Sequence, residues 1–167
     1  MKNQRMLDEL TELMRIDVSS GQETEIAEHL VKKLEQMGFA ITRDEAGATF
    51  GGVCGNILAV REGERDGVVC FCSHMDRVPG GIGIKPVEED GILRSSGDTI
   101  LAADDLSGVA AILEGVRQAI ESGKALPKLE ILFTVGEEAG LYGAKAFDVS
   151  LLTSKTMYVL DSPGRIG

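Results

Sequence analysis

Gly67-Val68-Val69-Cys70-Phe71-Cys72-Ser73-His74-Met75-Asp76 is the stretch on which the fold turns. An apolar run that opens at a glycine and runs out in His-x-Asp reads as a buried strand. Side chains two apart on a strand share a face, so His74 and Asp76 are expected side by side where the strand leaves the core. A carboxylate next to an imidazole fixes its tautomer and raises its basicity, which suits a metal ligand with its orienting partner. The same residues also describe an ordinary polar turn, so the reading depends on whether further ligands stand at comparable positions.

Downstream, they do. Residues 99–108, Thr-Ile-Leu-Ala-Ala-Asp-Asp-Leu-Ser-Gly, lead into a helix to about Ser122 with Leu106, Val109, Leu113, Val116 and Ile120 on its buried stripe. Asp104 falls at the helix mouth, where an N-cap would explain one acid but not the pair Asp104-Asp105. Residues 129–135 form a further apolar strand that ends in Gly136-Glu137-Glu138-Ala139-Gly140. Successive strand residues face opposite ways, so a glycine-flanked turn is needed to bring both carboxylates to one centre. A short helix from Ala144 and a strand over residues 156–160 that terminates in Asp161 complete this half. Between the opening strand and Thr99 lie a glycine-rich loop, residues 78–83, and a hairpin around Glu88-Glu89-Asp90-Gly91.

Upstream, residues 4–16 carry Met6, Leu7, Leu10, Leu13 and Met14 at helical spacing. Ser20-Gly21-Gln22-Glu23 has the form of a capping box before a second helix that buries Ile26, Leu30, Leu34 and Met37 and ends at Gly38. His29 stands among apolar positions of that helix and reads as a partly exposed helical histidine. Residues 39–42 and 56–60 read as strands. Helices interleave with strands throughout, which predicts an α/β fold, a three-layer α/β/α sandwich on a mostly parallel mixed sheet, with its site beyond the carboxyl ends of the strands.

The chain has 167 residues and a formal charge of −10, from 27 acids against 17 bases. One domain is expected, and neither nucleic acid nor an anionic membrane surface suits that charge. No signal core or membrane-length apolar run is present, so a soluble, cytoplasmic protein is expected. Cys54, Cys70 and Cys72 cannot all pair with one another, and without a second Cys pair Cys70-x-Cys72 reads as buried strand thiols. The end, Asp161-Ser162-Pro163-Gly164-Arg165-Ile166-Gly167, follows a buried strand with no closing helix and reads as a truncation. One imidazole with several carboxylates on one rim suits a pair of divalent cations, zinc, manganese or cobalt. Such a pair, roughly 3.5–4 Å apart, needs a bridging carboxylate and can hold a hydroxide while polarising a carbonyl. The adjacent Glu137 and Glu138 can divide the roles of base and ligand.

Ser73-His74-Met75-Asp76, Gly83-Ile84-Lys85-Pro86, residues 99–108, residues 134–144 and Leu160-Asp161-Ser162, in this order, resemble the first half of the catalytic domain of the dizinc metallopeptidases related to peptidase T. The wider family includes aminoacylases, carboxypeptidases and succinyl-diaminopimelate desuccinylase. The resemblance implies that His74 binds one metal with Asp76 as its orienting partner, that Asp104 bridges, and that Asp161 completes the first metal's shell. It also implies that Glu137 is the general base and Glu138 a ligand of the second metal. Aspartate at position 161 resembles the aminopeptidase branch. Arg77 and Leu106 depart from the family, where a small hydroxylated residue and a lysine are common. Relatives add a lid or dimerisation domain and a late histidine that completes the second metal site, so residues 1–167 are expected to be the N-terminal part of a catalytic domain, with impaired metal binding and little or no turnover alone. The full-length protein is expected to be an aminopeptidase or tripeptidase on short peptides, and a homodimer if it follows its relatives. Alternatives are an amidohydrolase or deacylase on the same metal pair, or a non-catalytic α/β module.

Overall fold

The computed structural model describes residues 4–161; of the terminal stretch that reads as a truncation, residues 162–167 lie outside the described residues. The elements in order are α1 (Gln4–Met14), α2 (Thr24–Gln36), β1 (Ala40–Arg43), β2 (Ile57–Arg61), β3 (Val68–His74), the hairpin β4 (Pro86–Glu89) and β5 (Ile92–Ser95), α3 (Ala103–Glu121), β6 (Lys128–Thr134), α4 (Tyr142–Ala146) and β7 (Met157–Val159). Their order in the main sheet is β1-β2-β6-β3-β7. β3 runs parallel to β6 and to β7, whereas β2 is antiparallel to both of its neighbours, so β2 alone runs against the other four. This is the mixed α/β sheet that the alternation of elements predicts.

Register positions the site. His74 pairs with Thr134, and Cys72 pairs with Val159, so the three parallel strands end in step. The Leu160 N–H donates to the Cys72 carbonyl at 3.1 Å, which carries the register one residue further. Residues that follow β3, β6 and β7 therefore open onto one rim.

Strand alternation divides the core into two faces. Ile57 and Ala59 of β2, with Ile131 and Phe133 of β6, pack against Leu13, Ile26, Leu30, Leu34, Leu106, Val109 and Leu113 from α1, α2 and α3. Each such fully buried aliphatic contributes about 1.5–3 kcal/mol. On the opposite face Leu58 and Leu132 meet Phe147, Leu152 and Met157. A 3-10 turn at Val149–Leu151 lies between Phe147 and Leu152. Glu130, wholly buried in β6, fastens the segment after this turn by accepting the N–H groups of Thr153 and Ser154 at 2.8 and 3.1 Å.

Local readings differ in several places. α2 begins at Thr24, and the Glu23 side chain does not cap it, so the capping box is not formed. α4 starts at Tyr142, two residues before the expected Ala144. Leu106 is fully buried in the core, so an apolar side chain takes a position in the packing. Arg77 is also buried; its guanidinium donates to the carbonyls of Leu13, Met14 and Gly81, which ties the loop after β3 to the end of α1. The cysteines are free thiols, and burial pushes Cys70 up to about 11 and Cys72 up to about 12. No helix among the described residues is long and apolar enough to cross a membrane.

Candidate metal centre

Each residue from Ser73 to Asp76 has its own task at the end of β3. Ser73 is buried and its hydroxyl donates to Asp105 Oδ2 at 2.6 Å. His74 is 2 % exposed, and its Nε2 faces the rim. Met75 returns to the core, and its N–H donates to the Thr134 carbonyl. Asp76 is wholly buried beneath the rim.

Around His74 Nε2 stand Asp104 Oδ1 at 3.2 Å, Asp161 Oδ2 at 3.8 Å and Glu137 Oε2 at 4.0 Å. Two trios, His74 with Asp104 and Asp161, and His74 with Glu137 and Glu138, each offer donor atoms within 4.8 Å of one another. Thus the structure brings all the sequence-predicted site residues, His74, Asp76, Asp104, Glu137, Glu138 and Asp161, to one rim. Donors about 2.0–2.2 Å from a tetrahedral cation lie about 3.3–3.5 Å from one another, so the spacing and the nitrogen–oxygen donor set fit a borderline divalent ion. One Nε2 binds one cation, so the two trios are alternatives for it. His29, by contrast, lies in α2 with its Nε2 3.9 Å from Glu12 and takes no part in the rim.

Asp76 does more than orient an imidazole. Its Oδ1 lies 3.4 Å from His74 Nδ1 and accepts the Glu137 N–H at 2.9 Å. Its Oδ2 accepts the Ser20 hydroxyl at 2.5 Å and the Glu138 N–H at 3.1 Å. Burial raises the Asp76 carboxyl, but His74, Ser20 and the Glu137 amide outweigh it and hold the group below its ordinary value. The same carboxylate therefore fixes the histidine and the backbone of both glutamates.

The turn that carries those glutamates depends on glycine. Gly136 has φ +58, and a Cβ there would lie 2.5 Å from Cζ of Phe50. Phe50 is itself stacked on Tyr142, with centroids 4.9 Å apart. The carbonyl of Glu137 then accepts the N–H groups of Gly140 and Leu141, closing the turn. This is the turn that adjacent acids at a strand end require.

The two aspartates at the mouth of α3 separate. Asp104 is exposed toward His74, whereas Asp105 is buried and accepts the Gly108 N–H at 3.1 Å. Asp105, not Asp104, is therefore the residue that satisfies the first turn of the helix. Burial, with nearby Asp161 adding to it, pushes the Asp105 carboxyl up to about 6.

Crowding of acids shifts the whole rim. Burial lowers His74, but Asp76, Asp104 and Glu137 override it and raise the imidazole to about 9. Burial raises Glu137 and Glu138, and the neighbouring aspartates raise them further. These ion pairs are all made by His74; no Lys or Arg pairs with a rim acid among the described residues.

Sequence reasoning missed Ser20, Glu23, Ser73 and Asp105 as supports of the site. Ser20 and Glu23 have the residue types of a capping box, and that local reading hid a long-range one. Ser73 and Asp105 directly precede or follow residues already singled out, so adjacency was the available signal.

The model of Peptidase family M28 matches residues 56–162. The Bacillus subtilis protein YqjE is 38% identical over 168 residues, an alignment that takes in 100% of this chain and 45% of YqjE. The crystal structure of aminopeptidase PepT from Bacillus cereus superposes with a TM-score of 0.95 at 40% identity, over 99% of this chain and 45% of that one. A tripeptidase structure from Staphylococcus aureus gives a TM-score of 0.92 at 34% identity, over 97% and 44%. The chain thus spans less than half the length of these relatives. The matched segment begins at the residue before β2 and takes in every rim residue, so the chain belongs to peptidase family M28, with a peptidase T-like metallopeptidase fold.

Proposed function

We propose that this chain is the N-terminal part of a catalytic domain that hydrolyses peptide bonds in short peptides, in the manner of an aminopeptidase or tripeptidase. The observation that carries the proposal is the ring of carboxylates around His74 Nε2, at 3.2, 3.8 and 4.0 Å, with no lysine or arginine paired to them among the described residues. His74, Asp104 and Asp161 would hold one divalent ion, and Glu138 would hold a second that shares Asp104. Zinc suits the donor set best, with manganese or cobalt as substitutes. Such ions, when bound, supply Lewis acidity toward a carbonyl and toward water.

Glu137 is the residue placed to move a proton. Its side chain is about one-quarter exposed, and burial with neighbouring acids raises its carboxyl above the ordinary value. A base is most useful when its pKa approaches the working pH, and this environment moves Glu137 in that direction. Asp76 acts through others: it holds the His74 ring and the Glu137 amide, so it orients ligand and base together. The B. cereus and S. aureus relatives are an aminopeptidase and a tripeptidase by name, which supports short peptides as the substrate class.

The test is hydrolysis of unblocked tripeptides by the full-length polypeptide before and after chelation, with Glu137→Ala alongside. Chelation should abolish turnover and added Zn²⁺ restore it, while Glu137→Ala costs about 10²–10⁴-fold in kcat. Chelator-resistant turnover, or an unchanged rate in Glu137→Ala, would reject the mechanism. Cleavage of N-acyl amino acids without cleavage of tripeptides would move the assignment to a deacylase.

A further inference from the structure

The turn that carries Glu137 and Glu138 is held from below by a segment distant in sequence. Its three successive amides each end on a buried carboxylate: Gly136 N–H on Glu23 Oε1 at 3.0 Å, Glu137 N–H on Asp76 Oδ1 at 2.9 Å, and Glu138 N–H on Asp76 Oδ2 at 3.1 Å. Glu23 is wholly buried, and the same Oε1 also accepts the Gly21 N–H at 2.8 Å. Ser20, three residues earlier, donates to Asp76 Oδ2 at 2.5 Å. Between them Gly21 takes φ +83, a left-handed conformation that glycine adopts without steric cost. One short loop thus grips both carboxylates that support the turn, and neither Ser20 nor Glu23 makes the helix cap that its residue type suggests.

We infer that Ser20 and Glu23 are positioning residues for the Glu137-Glu138 turn, a clamp from the loop between α1 and α2 that fixes base and ligand relative to His74. The inference rests on the reading of the rim as a metal centre. Glu23 acts through backbone amides, holding Gly136 of the turn and Gly21 of its own loop on one oxygen. Ser20 acts through Asp76, by occupying a lone pair of Oδ2 and fixing the rotation of the carboxylate.

Two measurements on the full-length polypeptide decide the matter: amide hydrogen exchange at Gly136, Glu137 and Glu138, and Zn²⁺ affinity by competition with a chelator. Glu23→Ala should speed exchange at Gly136, and Ser20→Ala at Glu137 and Glu138. Both should weaken Zn²⁺ binding about 10–100-fold, the usual cost of removing a support behind a metal ligand. Glu23→Gln keeps the acceptor at Oε1 and should remain close to the parent in both measurements. Ser20→Ala removes one partly exposed hydroxyl, so it tests the clamp even if Glu23→Ala fails to fold. The inference is overturned if exchange stays at the parent rate, if faster exchange leaves Zn²⁺ affinity unchanged, or if Glu23→Gln is as damaging as Glu23→Ala. Absence of Zn²⁺ binding by the full-length parent would instead sink the metal-centre reading on which the inference stands, and it is visible without any variant.

Discussion

Two acidic clusters can be compared within this one chain. Between α1, α2 and α3 lie Glu9, Glu12, Glu114 and Glu121, threaded by Arg5, Lys33 and Arg117. Lys33 Nζ stands 2.7 Å from Glu9 and 2.8 Å from Glu12, Arg117 reaches Glu9 at 3.0 Å and Glu114 at 3.1 Å, and Arg5 joins Glu114 to Glu121. Glu9, Glu12 and His29 even offer donor atoms within 4.8 Å of one another, the same spacing as the rim trios. What separates the clusters is the fixed cation. Among the described residues His74 makes every ion pair of the rim, so one imidazolium faces several acids that also repel one another. Like charges about 4 Å apart repel by about 1 kcal/mol in water and about 4 kcal/mol at an effective dielectric constant of 20. Helices balance their acids with lysine and arginine, whereas the rim sets several acids against one imidazolium, an excess of negative charge that a cation from solution can relieve.

The strongest way to break this comparison is to give the rim a cation of its own. Asp104 is exposed and lies 3.2 Å from His74 Nε2, so Asp104→Lys removes a ligand and inserts an ammonium without burying one. Zn²⁺ affinity of the chain should fall by about 100-fold or more, beyond the loss expected from a supporting residue. Unfolding by urea should show the metal-free variant within about 1 kcal/mol of the parent, because relief of repulsion among the acids is offset by loss of the exposed Asp104–His74 pair. A variant that lost stability and kept its metal would mean that the rim acids are structural.

Removing a cation from the helix cluster should do the reverse. Glu9 is 4 % exposed along its side chain, and Arg117→Ala deletes one of its two cationic partners. The cost should be about 1–3 kcal/mol of folding stability, because a buried acceptor loses a charged donor while Lys33 remains. Zn²⁺ affinity should stay at the parent value, since Arg117 touches nothing at the rim. A parallel loss of metal binding would show that the two clusters are not separate.

The sequence carries much of this contrast, and its limits are physical. Strand ends at His74, after β6 and before Asp161 are legible because apolar runs and β-branched residues mark strands, and the parallel register then brings their ends together. Glu137 and Glu138 are legible as a turn because Gly136 and Gly140 flank them. Ser20 and Glu23 are not, because the same hydroxyl and carboxylate serve a helix cap or a distant amide equally well, and only the tertiary fold decides. The helix cluster was equally hidden: Arg117 and Glu9 stand 108 residues apart, and no local pattern links them. Arg77 is a departure from the family's pattern whose role is likewise tertiary, since its guanidinium caps the end of α1.

The smallest expected effect distinguishes the clusters by the sign of their response to acid. In the helix cluster, hydrogen bonds from Arg5 outweigh burial, and with Gln118 and Arg117 they lower the Glu114 carboxyl to about 2. Its unfolded value is near the ordinary glutamate pKa of about 4.3. A folded pKa below the unfolded one contributes stability that is present above about pH 4.3 and lost as pH falls toward about 2. Asp105 at the rim behaves oppositely: with a folded value of about 6, it takes up its proton more readily folded than unfolded, so its contribution grows as pH falls from about 6 to about 4. Unfolding of the metal-free chain, followed by urea at a series of pH values, should therefore show an acid limb below about pH 4.3 that Glu114→Gln flattens. Because Arg5 is 46 % exposed, solvent screening limits the change to at most about 1 kcal/mol. The limb between about pH 5.5 and 6 should be the same in parent and variant, because Glu114 is ionised there in both the folded and the unfolded state and its hydrogen bonds end on the helices. If Glu114→Gln altered that upper limb instead, the charges of the helix cluster would be acting on the rim, and the separation drawn between the two would fail.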